Sequence, residues 1–403
     1  MNKETVVMLL AGGKGERLLP LTRDRAKPAV PFGGIYRIID LTLSNCLNSD
    51  LRRVFVLTQY KSRSLARHLR RGWGFLSHWM GEFIENIPAQ QRLGEDWYRG
   101  TADAIWQNTY LLEQVPSRFT LVLSGDHVYA MDYRPMLAYH AAARADLTIC
   151  VQERDVKDSR GLGILEVDED LIVRGFQEKP KQPKTMPGRP DRVLASMGIY
   201  VFSTPRMVEV LREATEEGEF DFGADIIPRM IRDGYDVRAF VFGESDDHGY
   251  WRDVGTVDAY WEANMDLVSV TPRLSLYDSR WPVHTYQGMH APAKFVFADG
   301  QHGNRSGIAV DSIVSTGCII SGGRIQRCVL SPGVRTNSYS YAFESILMED
   351  VDVGRYAKLR RVIVDKGVCI PPKTQIGYDP EEDAKRFVTT PSGIVVIPKG
   401  YEF

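Results

Sequence analysis

No stretch of this 403-residue chain is apolar for long enough to cross a bilayer as a helix. The longest apolar run near the N-terminus, Val6–Ala11, is six residues, and a spanning helix needs about 20. The opening Met1-Asn2-Lys3-Glu4 carries one cation and no cleavage pattern follows it, so a secretory signal is not expected. Cysteine is scarce and scattered. Cys46, Cys150, Cys318, Cys328 and Cys369 are odd in number and form no Cys-x-x-Cys, which disfavours structural zinc and a disulfide framework. Reduced thiols in a cytoplasmic protein are the expectation. A surplus of one charge is also missing: 50 Lys+Arg stand against 52 Asp+Glu, a net charge of −2. Nucleic-acid binding usually wants a basic domain. What remains is an ordinary globular composition, 43% hydrophobic and 25% charged, in a chain long enough for two or three domains.

The first 150 residues alternate between strand and helix patterns. Val6–Leu10 is a short apolar strand that opens into Gly12-Gly13-Lys14-Gly15. Ile35–Leu47 has helical spacing, Val54–Leu57 reads as a strand and Ser62–Arg71 as a basic helix. Thr101–Val115 reads as one longer amphipathic helix, with Ala104, Ile105, Trp106 and Leu112 on its apolar side. Phe119–Leu123 is a fully apolar strand ending at Ser124-Gly125-Asp126, and Leu147–Val151 is another. Apolar strands separated by helices imply an α/β domain with a mostly parallel sheet covered on both faces. Ligands bind such sheets beyond the carboxyl ends of the strands, so Gly12–Gly15 and Asp126 are expected to converge. Strand and helix patterns continue to Leu267, which gives a first domain over residues 1–271. A turn-rich connector follows over 272–294, and a second domain with a C-terminal tail over 295–403.

In that second domain the period changes. Val351, Ala357, Val362, Val368 and Thr374 are spaced 6, 5, 6 and 6 residues apart, and Val353, Leu359, Val364, Ile370 and Ile376 follow two residues behind each. This double series matches the hexapeptide repeat of a parallel β-helix. Residues 311–376 hold about eleven such steps, roughly three to four triangular coils. The alternative is an ordinary antiparallel sheet with accidental spacing.

Leu10-Ala11-Gly12-Gly13-Lys14-Gly15-Glu16-Arg17-Leu18 fits neither a dinucleotide fingerprint, since Leu18 stands where a third glycine is required, nor a Walker loop. It remains a glycine turn whose bare amides can approach phosphate, with Arg17 and Lys27 close behind. Taken alone, it could equally be a tight connection. Asp126 ends an apolar strand, where a carboxylate is costly unless paired or metal-bound. A capped turn for Asp126, and a pair with Arg252 for Asp253, are the plain structural alternatives.

This glycine run, followed by Arg25-Ala26-Lys27-Pro28, resembles the sugar-nucleotide pyrophosphorylases. Tyr36-Arg37-Ile38-Ile39-Asp40, Pro88–Arg92, Trp97–Ala104, Ser124–Tyr129, Glu178-Lys179-Pro180, Ala195–Tyr200 and Tyr250–Thr256 narrow the resemblance to the bacterial glucose-1-phosphate adenylyltransferases, from about Val6 to Ile397. The resemblance implies a Rossmann-like nucleotidyltransferase domain followed by a left-handed parallel β-helix. It also implies a Mg²⁺-dependent reaction of ATP with α-D-glucose 1-phosphate that yields ADP-glucose and pyrophosphate, the regulated step of glycogen biosynthesis.

By the same resemblance Asp126, Arg17 and Lys27 are catalytic, and Asp126 and Asp253 hold the metal. Leu10, Gly12, Gly13, Gln90, Gly100 and Thr101 meet the nucleotide. Tyr98, Gly163, Glu178, Lys179, Ser196, Tyr200, Asp221, Phe222 and Trp251 meet the sugar phosphate. Pro180 is read as fixing an extended turn at Glu178-Lys179. Family members are homotetramers regulated by small anionic effectors, and Arg25, Arg37, Ser64, Lys366 and Lys399 match effector positions. This chain has Asp24, Pro31 and Gly333 where enteric-type relatives carry basic residues, so a different anion response is expected. The basic run Arg52, Arg53, Lys61, Arg63, Arg67, Arg70 and Arg71 reads as a solvated face or, more sharply, as an effector or subunit contact.

Three other functions compete: a pyrophosphorylase for another nucleotide or sugar, a non-catalytic regulatory subunit, and an acyltransferase using the β-helix. The second should have lost active-site charges, which are all present. The third needs a catalytic histidine, and His302 is the only one after His290.

Overall fold

The computed structural model describes residues 2–92, 96–243, 249–297 and 305–403; His302 lies outside them. Thr5–Leu10 (β1) runs through the middle of a nine-stranded sheet. Its residues alternate between two cores, Val6 and Met8 facing one and Val7 and Leu9 the other, as a strand covered on both faces requires. Ile38–Asn48 (α1) precedes Arg53–Thr58 (β2), which divides in the same way, with Phe55 and Leu57 in the first core and Val54 and Val56 in the second. Arg63–Gly72 (α2), Phe83–Pro88 (β3) and Phe119–Ser124 (β4) follow. The order β3-β2-β1-β4 is parallel throughout. The segments leaving these four strands therefore emerge on one edge.

The single helix expected over Thr101–Val115 is two, Thr101–Trp106 (α3) and Tyr110–Gln114 (α4). The Asn108 amide donates to the Ala104 carbonyl and the Tyr98 hydroxyl, both at 2.8 Å, and the Thr109 hydroxyl donates to the Trp106 carbonyl at 2.9 Å. Side chains thus compete with backbone N–H groups for these carbonyls, and the helix breaks there. The sheet also has an antiparallel part. The long strand Arg192–Ser203 runs against both β4 and Leu147–Asp155.

The helix Val257–Leu267 closes the α/β part, and the first strand after it is Lys294–Val296. From there the chain winds into three parallel sheets, one per wall. Ile319, Arg335, Asp352 and Cys369 pair in succession on one wall, so each coil takes sixteen or seventeen residues. The five-residue step from Ala357 to Val362 shortens the coil below three full hexapeptides. Val351, Ala357, Val362, Val368, Val353, Leu359, Val364, Ile370 and Ile376 are all buried inside, and Thr374 is half-buried. Helix Pro380–Arg386 and the reversed strand Val388–Thr389 end the stack, with Phe387 and Tyr401 packed on its interior.

The β-helix docks on the first domain through a third core. Ile38 and Leu41 of α1 and Tyr260 and Ala263 of helix Val257–Leu267 meet Ile346, Met348 and Ile363 there. A buried ion pair crosses the same junction, Arg25 Nη2 donating to both Asp365 oxygens at 2.8 Å.

Candidate active site

The turn after β1 is possible because Gly15 adopts φ +66°, and a side chain there would crowd Lys27 Cβ at 2.9 Å. The Thr22 hydroxyl donates to the Gly15 carbonyl at 2.8 Å and fixes the turn. The segment after β4 brings Asp126 to the same edge. Asp253 arrives from far along the chain by strand pairing: Trp251–Asp253 runs antiparallel to His127–Tyr129, with Asp253 opposite His127.

Lys27 stands between the two carboxylates. Its Nζ donates to Asp126 Oδ2 at 2.9 Å and to Asp253 Oδ1 at 3.0 Å, and the residue is buried. Burial disfavours its ammonium, but Asp126 and Asp253 outweigh that and raise its pKa above the ordinary lysine value. For Asp126, burial works against the carboxylate; Lys27, then His127 and the Ser124 hydroxyl, hold it well below the usual range. Arg17 Nη2 lies 3.9 Å from Asp253 Oδ2.

Ligand atoms of Asp126, His127 and Asp253 lie within 4.8 Å of one another, and buried His127 Nδ1 has no hydrogen-bond partner among the described residues. Paired carboxylates suit a hard divalent cation that takes few protein ligands and keeps phosphate and water oxygens for the rest. The donor set therefore fits Mg²⁺.

Two cavities meet at Asp126 and Lys27. One, of about 380 Å³, is lined by Leu10, Gly12, Gly13, Tyr98, Gly100 and Thr101. The other, of about 270 Å³, is lined by Gly163, Glu178, Lys179, Ser196, Tyr200 and Phe222, with Trp251. Asp221 borders both. It caps the turn Phe222–Ile226 by accepting from the Gly223 and Ala224 amides, and it accepts from the Thr101 hydroxyl at 3.0 Å. Tyr200 packs against Phe222 with ring centroids 5.6 Å apart, and burial pushes its phenol up to about 12.

Three of the expected site residues differ in placement from the sequence reading. Tyr98 lines the glycine-turn cavity and not the one around Glu178, because its hydroxyl is tied to Asn108. Gln90 is exposed and lines neither cavity; Gln59, at the end of β2, stands in the first instead. Lys179 is not extended. It sits at φ +46° and pairs with Glu178, against the usual bias of a residue before proline.

The effector-matched positions divide. Arg25 is engaged with Asp365 and Lys366 with Glu349, so neither stands as a free cation. The Arg37 guanidinium donates to Ala29 O at 3.1 Å and to the Ser64 hydroxyl at 2.9 Å. Lys399 is exposed, and its carbonyl accepts from Arg23. In the basic run, Arg52 pairs with Asp50 and Glu82, and Arg71 lies over the Tyr286 ring.

Sequence reasoning missed Gln59 and His127 as site residues. Nothing in the sequence singles out Gln59, a lone amide after a strand, whereas His127 could have been found from its adjacency to Asp126.

Comparison with known proteins agrees with this architecture. Residues 6–270 match the model of the nucleotidyl transferase family, and residues 291–397 that of the GlmU-like C-terminal hexapeptide family. A glucose-1-phosphate adenylyltransferase of Methylococcus capsulatus is 51% identical over 401 residues, covering 98% of this chain and 94% of the relative. One from Koribacter versatilis is 51% identical over 404 residues, covering 99% and 96%, and one from Paramagnetospirillum magneticum is 49% identical over 403, covering 98% and 93%. With nucleotidyl transferase and hexapeptide regions in this order and half its residues shared along nearly the whole length, the chain belongs to the glucose-1-phosphate adenylyltransferase family, an α/β nucleotidyltransferase domain joined to a left-handed β-helix.

Proposed function

We propose that this enzyme joins ATP and α-D-glucose 1-phosphate into ADP-glucose and pyrophosphate, with Mg²⁺ held by Asp126 and Asp253. The observation that carries the reading is the meeting of Asp126, Asp253 and Lys27 where two adjoining cavities come together. A sugar-phosphate oxygen attacks the α-phosphorus, the α–β phosphoanhydride bond breaks, and pyrophosphate leaves with the electron pair. Both reactants are anions, so positioning and charge neutralisation supply most of the rate. The cation, when bound, screens the charge on the phosphates. Lys27 and Arg17 hold the ATP phosphates and stabilise the charge that builds on pyrophosphate. The glycine-turn amides and Thr101 border the nucleotide. Lys179 holds the sugar phosphate, Glu178 accepts from sugar hydroxyls, and Tyr200, Phe222 and Trp251 shape the sugar cavity. A role in glycogen synthesis, a homotetramer and control by a small anion belong to the same proposal. Pyrophosphate release is the test: it is expected with ATP, glucose 1-phosphate and Mg²⁺. A faster rate with another nucleoside triphosphate would overturn the choice of ATP, and no release with any nucleoside triphosphate would overturn the reaction.

A further inference from the structure

A chamber of about 790 Å³ lies beside Trp251–Asp253 and outside the two cavities just described. Six arginines and four acidic residues line it. Arg192 is engaged by Asp155 and Glu153, and Arg252 by Asp266 and Glu262. Arg154, Arg160 and Arg273 have no carboxylate within ion-pair distance among the described residues, although Glu153 and Asp158 also border the chamber. The Arg154 guanidinium is held rigidly, Nη2 donating to Gln152 Oε1 and to the Trp251 carbonyl, both at 2.7 Å. Its Nε is buried and makes no hydrogen bond. Burial and the nearby Arg252 and Arg273 lower its pKa, partly offset by Asp158. A fixed guanidinium beside two others without carboxylate partners, repelled by its neighbours, gains most from an oxyanion.

We propose that this chamber is a second oxyanion site, one that takes a phosphate-bearing anion at Arg154, Arg160 and Arg273. Arg17 and Asp253 border both the chamber and the sugar-side cavity, so an anion released at the reacting phosphates has arginines along its way out. Two sources carry the same chemistry: pyrophosphate made in the reaction, a source that rests on the proposed function, and inorganic phosphate from solution, which does not. A ligand here also touches the wall formed by Trp251 and Asp253, and so reaches the reaction centre from behind.

The test is calorimetric titration of the full chain with pyrophosphate and, separately, with inorganic phosphate. Arg160→Gln/Arg273→Gln removes two exposed guanidiniums that have no part in the proposed catalytic machinery, and its unfolding midpoint should match that of the parent. The double variant is expected to bind at least one of the two anions about tenfold more weakly or worse, while Lys179→Gln keeps the chamber affinity. If the double variant titrates like the parent with both anions, the site does not exist. If Lys179→Gln loses the same binding, the anion sits in the sugar cavity and the proposal falls. Weakened product inhibition by pyrophosphate in the double variant identifies the product as the source, and weakened phosphate binding without that change identifies an independent anion; either supports the site. Titration needs no turnover, so an enzyme that makes no ADP-glucose would leave this result standing.

Discussion

Lys27 is buried with its positive charge because two carboxylates meet it there. Each member of this trio depends on the others: remove one, and a buried charge loses its partner. Asp126→Asn keeps the shape of the side chain, the Ser124 contact and Asp253 as a partner for Lys27. Its fold is therefore expected to survive by circular dichroism, while pyrophosphate release falls by about 10²–10³-fold or more. A rate near that of the parent would remove Asp126 from its assigned role. Asp126 was legible as a candidate from its place after an apolar strand, and Lys27 and Asp253 only through the motifs that carry the family resemblance. Gln59 was not, since a single amide after an apolar strand carries no pattern. The left-handed turn at Lys179 was also hidden, because the residue before a proline is ordinarily extended.

Elements were legible where periodicity is strong and dictated by burial on both faces. The β-helix is the clearest case: the 6, 5, 6, 6 spacing already contains the seventeen-residue coil. The break between Trp106 and Tyr110 was not legible, since the apolar stripe runs on through it and only the Asn108 and Thr109 side chains interrupt the backbone. Helix Arg134–Ala143 offers a test of its packing. His140, on that helix, is fully buried, contacts the Thr148 hydroxyl at 2.8 Å, and burial lowers its pKa to about 4. The unfolded chain takes up this proton near pH 6.5 and the folded chain only near 4. Stability is thus undiminished above 6.5, falls as the pH drops between these values, and is lower by about 2 kcal/mol from this group at pH 5. His140→Gln is expected to lose that part of the acid sensitivity, seen as a smaller difference between urea midpoints at pH 7 and pH 5. An unchanged difference would mean that His140 is not the group responsible.

At the scale of the whole molecule, the two domains are joined by apolar packing and by Arg25–Asp365, a pair 340 residues apart in the chain. Such a pairing cannot be read from sequence: Arg25 and Lys366, which the resemblance matches to effector positions, each have a carboxylate partner in the fold. Arg25→Met leaves the Asp365 carboxylate buried without its partner, at an expected cost of about 3–5 kcal/mol. Arg25→Met/Asp365→Leu should recover much of it, measured as the shift in denaturant midpoint. Equal losses in the single and double variants would show that the ion pair itself, and not the stranded charge, sets the cost. The closing turn of the β-helix has a different consequence. A stack of identical rungs has no natural stopping point, because each rung offers an open template to the next, even one from another molecule. By plugging its final rung with Phe387 and laying a short reversed strand across the lip, the chain denies that template to its neighbours, and growth into fibres is blocked from that end.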